Sequence, residues 1–199
     1  MSIRPSARGA RGIFPVSEES NAPKSGAKTV LTILAVVVVL VAADQYTKGL
    51  IEERFTLGSG VNVIPGFFDI VYVKNRGAAF GILAGVKSEW VMRGFLLFTV
   101  VAMGMLVWLY NSFGPEERLG RVSTVMIGAG AIGNFIDRLR EGSVTDFLLF
   151  YIGEYQWPAF NVADSLITVG VAILALSIVM HNPEEGSKET VIQDSAESS

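Results

Sequence analysis

Four stretches of the 199-residue chain are apolar for nearly the length a helix needs to cross a bilayer, roughly 20 residues. They run from Thr29 to Thr47, Gly94 to Phe113, Val122 to about Asp137, and Ala159 to Met180. The third is short, with fifteen residues between Arg121 and Asp137, so its helix carries Asp137 and Arg138 into the interface. The pattern predicts an all-α membrane protein built as a four-transmembrane-helix bundle, with three spans as the alternative if the short run does not cross. Between the first two runs the periodicity changes. In VNVIPGFFDIVYVKNRGAAFG, Phe68, Ile70 and Tyr72 alternate with Asp69, Val71 and Val73, which predicts a strand or hairpin. Pro65-Gly66 supplies a turn before it, and Gly77 with Gly81 permits tight backbone near Asn75. A small extracytoplasmic β element, about residues 55–85, is therefore expected between helices 1 and 2.

The chain is half hydrophobic and 18% charged, with a mean hydropathy of +0.45, too apolar for a soluble domain of this size. The polar remainder is concentrated at the ends. Residues 1–27 and 182–199 read as disordered tails, leaving 28–181 as one membrane domain. The first tail lacks the apolar core of a signal peptide. Lysine and arginine tilt the N-terminus toward the cytoplasm only slightly, with eight basic residues on each side of the proposed topology. Four spans then return the C-terminus to the same side, and segments 48–93 and 138–158 face outward. With no cysteine and the single histidine His181, thiol chemistry and a histidine metal site are excluded by count. The net charge of −3 discourages nucleic-acid binding.

Charged and amide groups at membrane depth cost energy, so their positions carry information. Asp44 lies four residues before Lys48, about 6 Å of helix rise below the outer end. Asn134, Asp137 and Arg138 fall at i, i+3, i+4 on one face of the third helix, and Asn161 and Asp164 at i, i+3 on the fourth. Asp146 sits in the outer loop joining those helices. With Asn75, these groups converge at one level of the bundle, and Gly128, Gly130 and Gly133 let another helix approach the same face. Two carboxylates at a partly dry site cannot both stay ionised. One then keeps a proton while the other is a base, which suffices to activate water against an amide. Asp146 and Asp164 are the preferred pair. On these grounds alone a proton-coupled transporter fits nearly as well, whereas a structural scaffold leaves the cost of so many polar groups unexplained.

The segments DQYTK (44–48), NRGAAFG (75–81), GAIGNFIDRLREGSVTDF (130–147) and FNVADS (160–165) together resemble the lipoprotein signal peptidases, the type II signal peptidases of bacteria, across about residues 30–181. The resemblance implies an aspartic intramembrane endopeptidase with four spans, a β-cradle and a short amphipathic helix between the first two spans. It implies a multi-pass protein of the cytoplasmic (inner) membrane that removes the signal peptide from diacylglyceryl-modified prolipoproteins, cleaving before the lipidated cysteine. It places the catalytic dyad on Asp146 and Asp164, and matches Asn75, Asn134, Arg138, Asn161, Ala163, Asp44 and Asp137 to positions that bind substrate or support the site. No metal or organic cofactor is expected. The implied partners are the prolipoprotein and membrane lipid, with the chain a monomer inhibited by globomycin-type cyclic peptides.

Physical roles follow for several of these. Asn75 and Asn161 can hydrogen-bond an extended substrate backbone. Arg138 can hold a carboxylate or a loop carbonyl, or simply snorkel. Asp137 can pair with Arg138 or Arg140, and Asp44 reads as a buried acceptor fixing the first helix. FLLFYIG (147–153), with Tyr155, Trp157, Ile51, Phe55 and Leu57, suits an interfacial apolar rim for acyl chains.

Overall fold

The structure, a computed structural model, describes residues 24–77 and 88–180. Outside them lie most of the two polar tails, His181, Gly81 and the rest of segment 78–87. The short amphipathic helix expected between the first two spans has no counterpart among the described residues. Among the described residues four helices are long and apolar enough to cross a membrane: α1 (Lys24–Arg54), α2 (Ser88–Ser112), α3 (Arg118–Glu141) and α4 (Val162–Met180). Each apolar run gave one helix. Three of the four helices reach beyond their runs, and in α1 and α3 polar residues at the C-terminal end find partners rather than ending the helix.

The clearest case is α1, which continues through Lys48 and Glu52 to Arg54. Lys48 is buried against Asp44 and Asp137. Glu52 accepts hydrogen bonds from Lys74 Nζ at 2.7 Å and from Thr145 Oγ1 at 2.6 Å. Charges that would terminate a solitary span are here neutralised by neighbouring elements.

The hairpin expected between the first two spans is present: β1 (Gly60–Ile64) and β2 (Phe68–Asn75) pair antiparallel across a turn in which Gly66 has φ 79°. The sheet also reaches the segment between α3 and α4. There β3 (Val144–Ile152) pairs antiparallel with β2, and β4 (Tyr155–Gln156) folds back onto β3, giving the order β1-β2-β3-β4. Asp146 therefore stands in a strand and not in a loop. VTDFLLFYI is β-branched and aromatic enough to extend, and Gly142, at φ 68°, caps α3 by donating its N–H to the Arg138 carbonyl and turns the chain into it. Of the proposed apolar rim, Phe147 and Ile51 are buried in the core, whereas Leu57, Ile152, Tyr155 and Trp157 are exposed.

α3 packs against all three other helices. It can do so because one face is nearly bare. A Cβ on Gly133 would lie 2.6 Å from Asp44 Oδ2 and 3.2 Å from Ala163 Cβ, and one on Gly130 would meet the Ala163 carbonyl. Small residues at these points let α1 and the start of α4 reach the α3 backbone. Gly128 is different, since its nearest neighbour would be Met103 at 3.9 Å. Beyond this contact the helices turn apolar surface outward, including Leu31 and Val39 on α1, Leu97 and Trp108 on α2, and Leu176 and Val179 on α4. That is the pattern of segments solvated by lipid.

Gly133→Ala should lower stability by about 1–3 kcal/mol through overpacking, read as a lower midpoint of thermal unfolding in detergent. Gly128→Ala should leave the midpoint close to native. Equal midpoints for the two variants would contradict this packing.

Candidate active site

The start of α4 organises the site. A helix N-terminus leaves backbone N–H groups without helical partners, and here they are met by side chains. Asn161 precedes the first helical residue, and its Oδ1 accepts the N–H of Asp164 at 2.9 Å. Asp164 Oδ2 returns toward the N–H of Asn161 at 3.3 Å. This reciprocal arrangement is a capping box, so the spacing of Asn161 and Asp164 reflects a cap as well as a shared helix face. Asp44 Oδ1 accepts the N–H of Ala163 at 2.9 Å, across to α1. Asp44 is thus the buried acceptor its sequence position suggested, and it ties α1 to α4.

Asp146 enters from β3, and the pairing of β2 with β3 sets Asn75 opposite Val144 beside it. Asn75 Nδ2 donates to Asp146 Oδ2 at 3.0 Å, and Asn161 Nδ2 to Asp146 Oδ1 at 2.7 Å. Asn134, from α3, donates through Nδ2 to Asp164 Oδ1 at 2.7 Å. Each of the three asparagines is oriented from behind by a donor to its Oδ1. For Asn75 that donor is the N–H of Gly77, at 2.8 Å and φ 80°. For Asn161 it is the N–H of Asp164. For Asn134 it is the Lys48 ammonium at 3.1 Å, with Asn161 Nδ2 at 3.2 Å. An amide whose oxygen is so engaged must turn its NH2 toward the carboxylate.

Burial pushes the Asp146 carboxyl up from its ordinary 3.8 to about 6. The Asp164 charge adds to the rise, while hydrogen bonds from Asn75 and Asn161 and the charge of Lys48 restrain it. Asp146 is 2% exposed and Asn161 fully buried, so the site is dry on its protein side, and Asp164 is only part-buried.

One expectation is corrected. Asp137 pairs with neither Arg138 nor Arg140. It meets Lys48 Nζ at 2.9 Å, Gln45 Nε2 at 2.7 Å and the N–H of Thr145 at 3.2 Å, because its side of α3 faces α1 and the base of β3. Arg138 lies over the Phe95 ring at 4.7 Å, and among the described residues it makes no ion pair. Its charge still bears on Asp164, Asp146 and Asp137. Gln45, Lys48 and Thr145 carry much of the network without having been singled out for it. Gln45 follows Asp44 directly and Lys48 comes about one helical turn later, and a buried charge at depth requires a partner, so DQYTK held the signal.

A second cluster braces the strands. Lys74 Nζ contacts Glu52, Glu141 and Thr145 Oγ1, joining β2 to α1, α3 and β3. Burial opposes the charge of Lys74, yet hydrogen bonds to Glu141 and Glu52 hold its ammonium above the usual lysine range. Among the described residues no group of three or more His, Asp or Glu side chains is arranged to hold a metal. The carboxylates gather where α4 begins and β3 crosses, at one end of the bundle. A transport coupling site would be sought near the midplane.

Residues 36–180 match the family model described as signal peptidase (SPase) II. The chain is 48% identical over 145 residues to the lipoprotein signal peptidase of Syntrophotalea carbinolica, covering 73% of this chain and 89% of that protein. It is 43% identical over 145 residues to that of Geobacter sulfurreducens, with 73% and 89% covered. A solved structure of a bacterial membrane enzyme, obtained by the in meso method at 1.9 Å resolution, superposes with a TM-score of 0.67 at 34% identity, covering 76% of this chain and 94% of that one. Sequence motifs, four apolar helices and an antiparallel sheet converge with these similarities, and the chain belongs to the signal peptidase II family of membrane proteases.

Proposed function

We propose that the chain is an aspartic endopeptidase in which Asp146 and Asp164 activate water to remove the signal peptide from diacylglyceryl-modified prolipoproteins, cutting before the lipidated cysteine. The observation that carries this reading is the convergence of two carboxylates from β3 and α4, each held by asparagine amides. The relatives named above are lipoprotein signal peptidases, which supplies the substrate class.

Hydrogen bonding divides the roles. Both oxygens of Asp146 accept amide N–H groups, at 2.7 and 3.0 Å, which favours its ionised form and suits a base. Asp164 accepts a short bond only on Oδ1, and Oδ2 has the longer 3.3 Å contact with a backbone N–H. Oδ2, the more weakly engaged oxygen, is the one that carries a proton. Asp146 takes a proton from water as the water oxygen attacks the scissile carbonyl carbon, and Asp164 protonates the developing oxyanion. The tetrahedral intermediate then collapses with cleavage of the C–N bond. The leaving amine takes the proton from Asp146, and Asp164 recovers its own from the hydroxyl that becomes the new carboxyl. No metal or organic cofactor enters the cycle.

Residues 28–181 form the peptidase domain, and both termini face the cytoplasm with the dyad near the outer face of the inner membrane. The chain works as a monomer alongside membrane lipid, and globomycin-type cyclic peptides inhibit it. These assignments extend the family resemblance.

With purified diacylglyceryl-prolipoprotein, Asp146→Asn and Asp164→Asn should each lower kcat by at least about 1,000-fold, while circular dichroism and unfolding midpoints stay near native. Turnover close to native in either variant would remove that residue from the dyad. The native pH profile supplies a second check. Because Asp146 must be ionised to act as base and titrates near pH 6, kcat/KM should fall with unit slope as the pH drops below about 6. A rate that stays flat down to pH about 4 would contradict the assignment.

A further inference from the structure

Lys48 is 2% exposed, and its three ammonium hydrogens meet three acceptors: Asp44 Oδ2 at 2.8 Å, Asp137 Oδ2 at 2.9 Å and Asn134 Oδ1 at 3.1 Å. Two of these contacts balance charge. The third reaches the amide that bonds to Asp164. An ammonium has donors and no acceptor, so the contact with Asn134 can run in one direction only. Asn161 Nδ2 also donates to Asn134 Oδ1, but it shares its hydrogens with Asp146 Oδ1 and the Thr145 carbonyl. Lys48 is thus the dedicated anchor of the Asn134 amide.

Resting on the dyad reading above, we infer that Lys48 is a positioning residue. By fixing which way the Asn134 amide points, it keeps Asp164 Oδ1 an acceptor and leaves the catalytic proton on Oδ2. With the ammonium gone, the amide can turn over. Its oxygen then faces Asp164 Oδ1, which favours a proton on that oxygen, hydrogen-bonded to Asn134 and withheld from the reacting carbonyl. Lys48 touches neither water nor substrate in this account, so its loss acts on the chemical step and not on binding.

Charge balance alone does not require this geometry. A buried ion pair can often be replaced by apolar side chains with little loss of stability, and Asp44 with Asp137 already presents two acceptors to one cation. The approach to an uncharged amide oxygen is the feature that a purely neutralising lysine would lack.

The test compares purified Lys48→Met with the native enzyme on the lipidated precursor. Lys48→Met should lower kcat about 100-fold while KM stays within about twofold. Loss of a nearby positive charge should also move the acid limb of the pH profile upward by about one unit. In an Asn134→Leu background, which has no amide to orient, Lys48→Met should have little further effect on kcat. A Lys48→Met enzyme with kcat within about threefold of native, or a loss that simply adds to that of Asn134→Leu, would overturn the inference.

If Lys48→Met does not fold, Lys48→Arg and Lys48→Gln decide. Arginine remains a donor-only cation, while glutamine can present an acceptor. Lys48→Arg should turn over at least about tenfold faster than Lys48→Gln, and equal rates would overturn the role. Should the native protein leave the precursor uncut, the peptidase reading fails by itself. The positioning claim is then read from the infrared band of the protonated Asp164 carboxyl, which should shift in the Lys48 variants and whose constancy would refute it.

Discussion

Everything at the site depends on placing the N-terminus of α4 against α1 and α3 through ionised side chains shielded from water. A buried carboxylate is tolerable only when its charge is met and its lone pairs are used. Asp44 meets both conditions by accepting the Ala163 N–H with one oxygen and the Lys48 ammonium with the other. Asp137 does so with Lys48, Gln45 and the Thr145 N–H. These contacts bind α1, α3, α4 and β3 into one polar knot. The glycines of α3 bring the backbones close enough for the side chains to reach, since a methyl group at Gly133 would already crowd Asp44. Packing and electrostatics are therefore one constraint here.

The same knot carries function outward. Four carboxylates, Asp44, Asp137, Asp146 and Asp164, share the buried Lys48 and the half-buried Arg138. Two cations against four acids leave an excess of negative charge in a dry place, the condition under which a carboxylate pair retains a proton. The asparagines distribute donors across the pair, two to Asp146 and one short bond to Asp164. Such preorganised dipoles act without reorganising during reaction.

Much of this was legible in the sequence because the bilayer imposes simple requirements. Apolar runs located all four helices, and alternation in residues 68–73 located the hairpin, since both signals are local. The convergence of Asp44, Asn75, Asn134, Asp146, Asn161 and Asp164 was legible from their common depth. What escaped was non-local. The strand around Asp146 forms by pairing with β2, far away in the chain, and nothing within VTDFLLFYI separates a buried strand from an apolar interfacial loop. Asp137 looked adjacent to Arg138 and Arg140, yet its partner Lys48 comes from another helix. Lys48 itself looked like the charge that ends a span. Asn161 and Asp164 carried a capping signature, N-x-x-D, that the i, i+3 reading of a helix face had concealed.

The most direct test of the account is to count protons on the pair. Infrared difference spectra of the native protein with carbon-13-labelled aspartate, at pH about 7, should show a protonated carboxyl band that disappears in Asp164→Asn. A native spectrum without such a band, or a band unchanged by that substitution, would contradict the claim that one proton is held at Asp164 for transfer to the substrate.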